Sequence, residues 1–119
     1  MEESILTSVK KLLGIADEIT DFDTDIVIHI NTVLGILNQL GVGPSEGFSI
    51  TDKTSTWSDF ISNAKNLETV KSYVGLKVRL LFDPPTSSAV TESINRLVSE
   101  LEWRINVTVD PGDDREEGT

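Results

Sequence analysis

LETVKSYVGLKVRLLFDPPTSSAVTESINRLVSELEWRINVTV, residues 67–109, decides how this chain folds, because it sets two apolar-striped helices around one stiff corner. Leu67, Val70, Val74, Val78 and Leu81 recur at three- and four-residue spacing, and Tyr73, Leu76 and Leu80 widen the stripe. That pattern predicts a helix buried over most of its circumference. Asp83-Pro84-Pro85 then stops it. The residue before a proline is pushed out of the helical region, while proline is accepted in the first turn of a new helix, so Asp83 is expected to end one helix and cap the next. After the corner, Val90, Ile94, Leu97, Val98, Leu101 and Ile105 form a second stripe, with Glu92, Arg96, Glu100 and Arg104 on the polar side. Gly75 sits inside the first of these helices, where it costs about 1 kcal/mol relative to alanine. Either a neighbouring helix approaches closely there or the helix bends.

Working outward toward the N-terminus, Ile5, Leu6, Val9, Leu12, Leu13 and Ala16 predict a short amphipathic helix that frays at Gly14. A second runs from about Thr24 to Leu40, capped by Asp23 or Thr24 and ended by Gly41, with Ile26, Ile30, Val33, Leu37 and Leu40 on one seam. Between Gly41 and Thr56 the composition turns to Gly, Pro, Ser, Thr and Asp, with one apolar island at 48–51 that reads as a short strand or hairpin. Ser58-Asp59 beside Trp57, Phe60 and Ile61 suggests a short helix, which Asn63 and Asn66 interrupt. At the other end, Ile105, Val107 and Val109 alternate with Asn106 and Thr108, which is strand periodicity. Such a segment pairs with 48–51, adds to the sheet edge of another protein, or is the end of the helix running into a tail. The sequence leaves these three open. The expected fold is mainly α, a small bundle of four to five helices with these two strand-like pieces, in one domain over 1–109 followed by an acidic flexible tail over 110–119.

Composition limits what such a chain does. Its 119 residues suffice for one core, and 38% hydrophobic content is neither disordered nor membrane-like. Apolar runs of about three residues are too short to span a bilayer, and the acidic start Met1-Glu2-Glu3 is unlike a secretory signal, so a cytoplasmic location is expected. There is no cysteine, hence no disulfide or thiolate chemistry. The net charge of −10 is local: residues 17–25 carry five carboxylates and no base, and 110–119 carry five against Arg115. Clustered Lys and Arg, which supply affinity for phosphates, are missing, so no free binding of nucleic acid is expected.

The constellations that carry catalysis fail on residue type or spacing. Asp21, Asp23 and Asp25 imitate the opening of a calcium loop, but the turning position is Ile26 and the bidentate position is Thr32. Helix capping accounts for the same acids. His29 is the only histidine and reads as an ordinary surface or edge residue. Glu100 and Glu102, two apart on a helix, do not share a face. Gly41-Val42-Gly43-Pro44 follows a helix instead of opening one, so it is no phosphate loop. No cofactor, metal or catalytic residue is expected; the chain works by contact.

Tyr73-Val74-Gly75-Leu76-Lys77-Val78-Arg79-Leu80-Leu81-Phe82-Asp83-Pro84-Pro85, followed by Glu100-Leu101-Glu102-Trp103-Arg104-Ile105, resembles the signature of the head-tail connector (adaptor) proteins of long-tailed bacteriophages. With the N-terminal helix pair and the acidic end, the resemblance covers nearly the whole chain. It implies a virion neck protein that forms a ring of copies of itself, typically dodecameric, on the portal. Such a ring extends the DNA channel, lets DNA pass without specific binding, and docks a stopper or other neck or tail protein. It also implies that the C-terminal segment reaches the portal, which nominates Arg104, Ile105, Val107, Val109 and Asp110, with Trp103 as a further anchor if exposed. A head-to-tail ring needs two different patches per subunit, and Lys71, Lys77, Arg79 and Arg96 on the long helices are the expected subunit contacts, facing acids of a neighbour. The competing class is a small acidic regulator or DNA mimic, which fits poorly because mimicry wants acids spread along one face.

Overall fold

The computed structural model describes residues 4–61 and 67–114, with side chains described as far as Val107. Among them are five helices: α1 (Ile5–Leu13), α2 (Asp23–Gln39), α3 (Trp57–Phe60), α4 (Leu67–Phe82) and α5 (Ser88–Asp114). Helix α4 is the hub and packs against α1, α2 and α5. Its Val70, Tyr73, Val74 and Val78 are buried among Ile5 and Val9 of α1, Ile26, Ile30, Val33 and Leu37 of α2, and Val98, Leu101 and Ile105 of α5. Each such side chain contributes on the order of 1.5–3 kcal/mol by leaving water. Gly75 is explained by close approach, not by a bend: a Cβ there would run into Cδ1 of Leu12 on α1.

Local chemistry sets the ends. Ser4 caps α1 by accepting from the Thr7 N–H at 3.2 Å, and Gly14 closes it in the left-handed conformation at φ 80°. Helix α2 starts one residue earlier than expected and has no side-chain cap: Phe22 holds the cap position, and Asp23 is used elsewhere. A capping box between Thr56 and Asp59 starts α3. The corner falls where the prolines put it, with α4 ending at Phe82, but Asp83 does not cap the next helix. Ser87 does, accepting from the Val90 N–H at 3.3 Å, and both prolines lie before α5.

Neither strand-like piece is a strand. Ile50 is buried, yet its N–H and C=O are both taken by the side-chain amide of Asn31, at 2.7 and 3.0 Å, which leaves nothing for a ladder. The one bridge among the described residues joins Ser4 and Thr56 instead. At the C-terminus α5 continues through Ile105, Val107 and Val109 to Asp114, because Ile105 extends the buried row of Val98 and Leu101 by one helical turn. Asn63, Asn66 and residues 115–119 of the acidic segment lie outside the described residues.

Three polar contacts lock the bundle. The Tyr73 hydroxyl donates to Oε2 of Glu102 at 2.7 Å, tying α4 to α5. Lys10, only 2% exposed, sends its ammonium to the backbone carbonyls of Asp17 at 3.0 Å and Ile19 at 2.7 Å and to Oδ1 of Asp23 at 2.9 Å. A third, the Trp57 indole donating to Ser8 Oγ at 3.0 Å, seats α3 on α1.

Lys10→Met should therefore cost about 3–5 kcal/mol in urea unfolding, since it strands buried acceptors and the Asp23 carboxylate; a loss below about 1 kcal/mol would contradict the contact. Burial, reinforced by the Glu102 carboxylate that accepts its proton, pushes the Tyr73 hydroxyl up, far above its usual value. Because the folded value lies above the unfolded one, this contribution is complete below about pH 10 and is lost as pH rises toward the folded value. Tyr73 is the only tyrosine, so tyrosinate absorbance reads it alone. The folded protein should titrate well above pH 10 and the denatured protein near 10; coincident curves would show that Tyr73 is not held this way.

Candidate functional site: an assembly surface

The side chains that suggested chemistry are otherwise engaged. Asp23 pairs with Lys10, so the acids of residues 21–25 do not converge as ligands, and among the described residues no three His, Asp or Glu side chains do. His29 is half-buried with its ring edge-on to Phe82 at 6.2 Å, and Phe82 also meets Phe22 at 5.8 Å. Glu100 pairs with Arg104 at 2.7 Å while Glu102 faces Tyr73, so they point apart. No helix among the described residues is long and apolar enough to cross a membrane.

What the fold leaves open is apolar. Helix α5 carries its stripe around more circumference than the bundle covers: Val98, Leu101 and Ile105 face inward, whereas Val90 and Leu97 are nearly half exposed. Leu97, 45% exposed, faces Leu12, 57% exposed, across a groove of about 320 Å³ floored by Gly75 and Leu76 and closed by Ser72, Arg79 and Leu101. A shallower groove of about 290 Å³ continues along α5 past Leu97 to Val90 and Ala89. The missing Cβ of Gly75 thus does two things: it admits Leu12 and it deepens the floor.

Arg79 is the polar element of this groove. Its Nε is buried with no hydrogen-bond acceptor among the described residues. A buried guanidinium N–H without an acceptor costs about 1–3 kcal/mol or more, and Arg79 lines the groove with no carboxylate partner among the described residues. Of the other basic residues nominated from sequence, Lys71 and Lys77 are half-buried on α4, with Lys71 3.7 Å from Glu68, and Arg96 is exposed beside Leu97. Arg79 lines the groove whereas Arg96 does not; Arg104 lies farther along α5 and is paired.

The C-terminal residues nominated for portal contact do not share one face. Arg104 is exposed, Ile105 is 2% exposed in the core, and Val107 is half exposed; Val109 and Asp110 lie on α5 beyond the described side chains. Trp103, 66% exposed, is the largest apolar side chain left open on α5 and so is no core residue.

A second open feature is the loop of residues 14–22. It presents Ile19 and Phe22, 44% and 45% exposed, among Asp17, Glu18 and Asp21. Lys10 holds its backbone at the carbonyls of Asp17 and Ile19, so Ile19 is carried by a fixed chain, and Phe22 is steadied by its edge-on contact with Phe82. Sequence reading named the acids but missed Lys10, although its place next to Val9 and four residues after Leu6, at the edge of the α1 stripe, was a usable signal.

No curated protein and no solved structure matches this chain. The family model of the phage connector proteins matches residues 5–112, the region that holds all five helices up to the last turn of α5, and the chain belongs to that family, a structural one of the bacteriophage head–tail junction.

Proposed function

We propose that this protein is an adaptor that assembles as a ring, dodecameric in the virion, on the portal at the DNA-exit vertex of the filled capsid. Copies form in the host cytoplasm, join the neck there, extend the DNA channel, and offer the docking surface for a stopper or other neck or tail protein. The observation that carries this reading is the family match over residues 5–112, joined to an α5 whose apolar stripe is only half used within the monomer. A monomer that ended its working life alone would have little reason to leave Leu12, Leu97, Val90 and Trp103 open together.

Contact between neighbours runs through the basic edge of Lys71, Lys77, Arg79 and Arg96 against the acidic residues 17–25 of the next subunit. Like-charge repulsion from any acids lining the bore keeps DNA from adhering during passage. The segment from Arg104 through Val107 and Val109 to Asp110 reaches the portal as a helix, with Trp103 as its anchor.

The test is co-sedimentation with tailless capsids of the same phage that retain their portal, followed by electron microscopy. The wild type should pellet with capsids and add a ring at one vertex, and raising the salt concentration should loosen it; a protein that never pellets would end the adaptor reading. Because Ile105 is core, a truncation must begin after it. Deleting residues 107–119 should abolish capsid binding while costing only the helical signal of the deleted turns and leaving the unfolding midpoint close to that of the full chain. Unchanged binding by that truncation would remove the C-terminal segment from the portal contact.

A further inference from the structure

Resting on the adaptor reading, we propose that the groove between Leu12 and Leu97 receives the 16–22 loop of a second copy of this chain, with Ile19 and Phe22 seated in the groove and a carboxylate of that loop on Arg79. The two features complete each other. The groove is apolar, has room for large side chains at about 320 Å³, and contains a buried guanidinium N–H that no described residue satisfies. The loop offers what is missing: two half-exposed apolar side chains flanked by Glu18 and Asp21.

Rigidity is the further argument. Burying Lys10 is costly, and what its nitrogen fixes is the backbone of Asp17 and Ile19, so the loop meets a partner with its ordering entropy already removed. The same chain cannot fill its own groove with that loop, because Lys10 holds it where neither Ile19 nor Phe22 lines the groove. Groove and loop are different surfaces, so a copy whose loop sits on its neighbour keeps its own groove open for the next, the head-to-tail kind of contact that closes into a ring.

The chain has no cysteine, which makes site-directed cross-linking direct. Phe22→Cys and Leu97→Cys proteins, mixed and mildly oxidised in concentrated solution and on portal-bearing tailless capsids, should give a disulfide-linked heterodimer that neither forms alone. Ile19→Cys with Leu12→Cys is the second pair, at positions exposed enough for the fold to tolerate the change. Adding Arg79→Glu to the groove-side protein should cut the yield roughly tenfold. No heterodimer from either pair in either setting, or self-linking by any one variant, overturns the proposal; an acidic segment of the portal would then be the better occupant. Capture of wild-type protein by capsids is scored separately, so a failed cross-link with normal capture rejects this contact and keeps the adaptor, whereas failed capture rejects the adaptor.

Discussion

The buried ammonium of Lys10 is the constraint from which the rest of the surface follows. A lysine in the core is tolerated only when its charge and its donors are met, and here two carbonyls and one carboxylate meet them. Those partners come from the connection between α1 and α2 and from the first turn of α2. One side chain therefore sets where α1 stops and how the chain turns, and it draws Asp23 away from capping α2. It also decides that Ile19 points outward, since the backbone that carries it is tied from the inside.

Helix α4 organises the core in the same economical way. Three helices contact it, and the position where α1 comes closest has no side chain at all. Gly75 gives up helix propensity of about 1 kcal/mol relative to alanine to admit Leu12. Because Leu12 is itself more than half exposed, that approach does little for the core. Its larger consequence is the groove, whose floor and one wall it creates.

Much of this fold was legible in the sequence. The stripes of α1, α2, α4 and the first turns of α5 were read from spacing, and the Pro84-Pro85 corner fell in place, because those signals are local and strong. The misreadings have a common cause. Ile105, Val107 and Val109 alternate like a strand, but Ile105 also continues the row of Val98 and Leu101, and a core contact outweighs a β-branched preference of a few tenths of a kcal/mol. Residues 48–51 lack a strand because a side chain on α2, Asn31, satisfies the backbone that a ladder would have used. Asp83 and Asp23 were both plausible caps, and in each case a competing partner or a later serine did the work. Of the basic residues expected at the surface, Arg96 is exposed and Lys71, Lys77 and Arg79 are half-buried, and the groove was invisible, since its walls come from three helices.

Net charge bears on how such a surface is used. Copies of a chain at −10 repel one another at a distance, and screening confines that repulsion to about 8–10 Å at ordinary salt. Attraction must therefore be short-ranged and local, which favours apolar burial with one well-placed ion pair over broad charge matching. The net negative charge is gathered into two segments, leaving the α4 and α5 edges, where Glu92 and Glu100 are balanced by Arg96 and Arg104, with less of that repulsion. A twofold axis through either patch would bring acidic loop against acidic loop, or groove against groove with two Arg79 side chains facing each other, and both arrangements are repulsive. The proposed contact, loop of one copy on the groove of another, opposes unlike charges instead. Repeated with a constant rotation, it generates a closed ring or a filament, and a template with its own symmetry selects the ring.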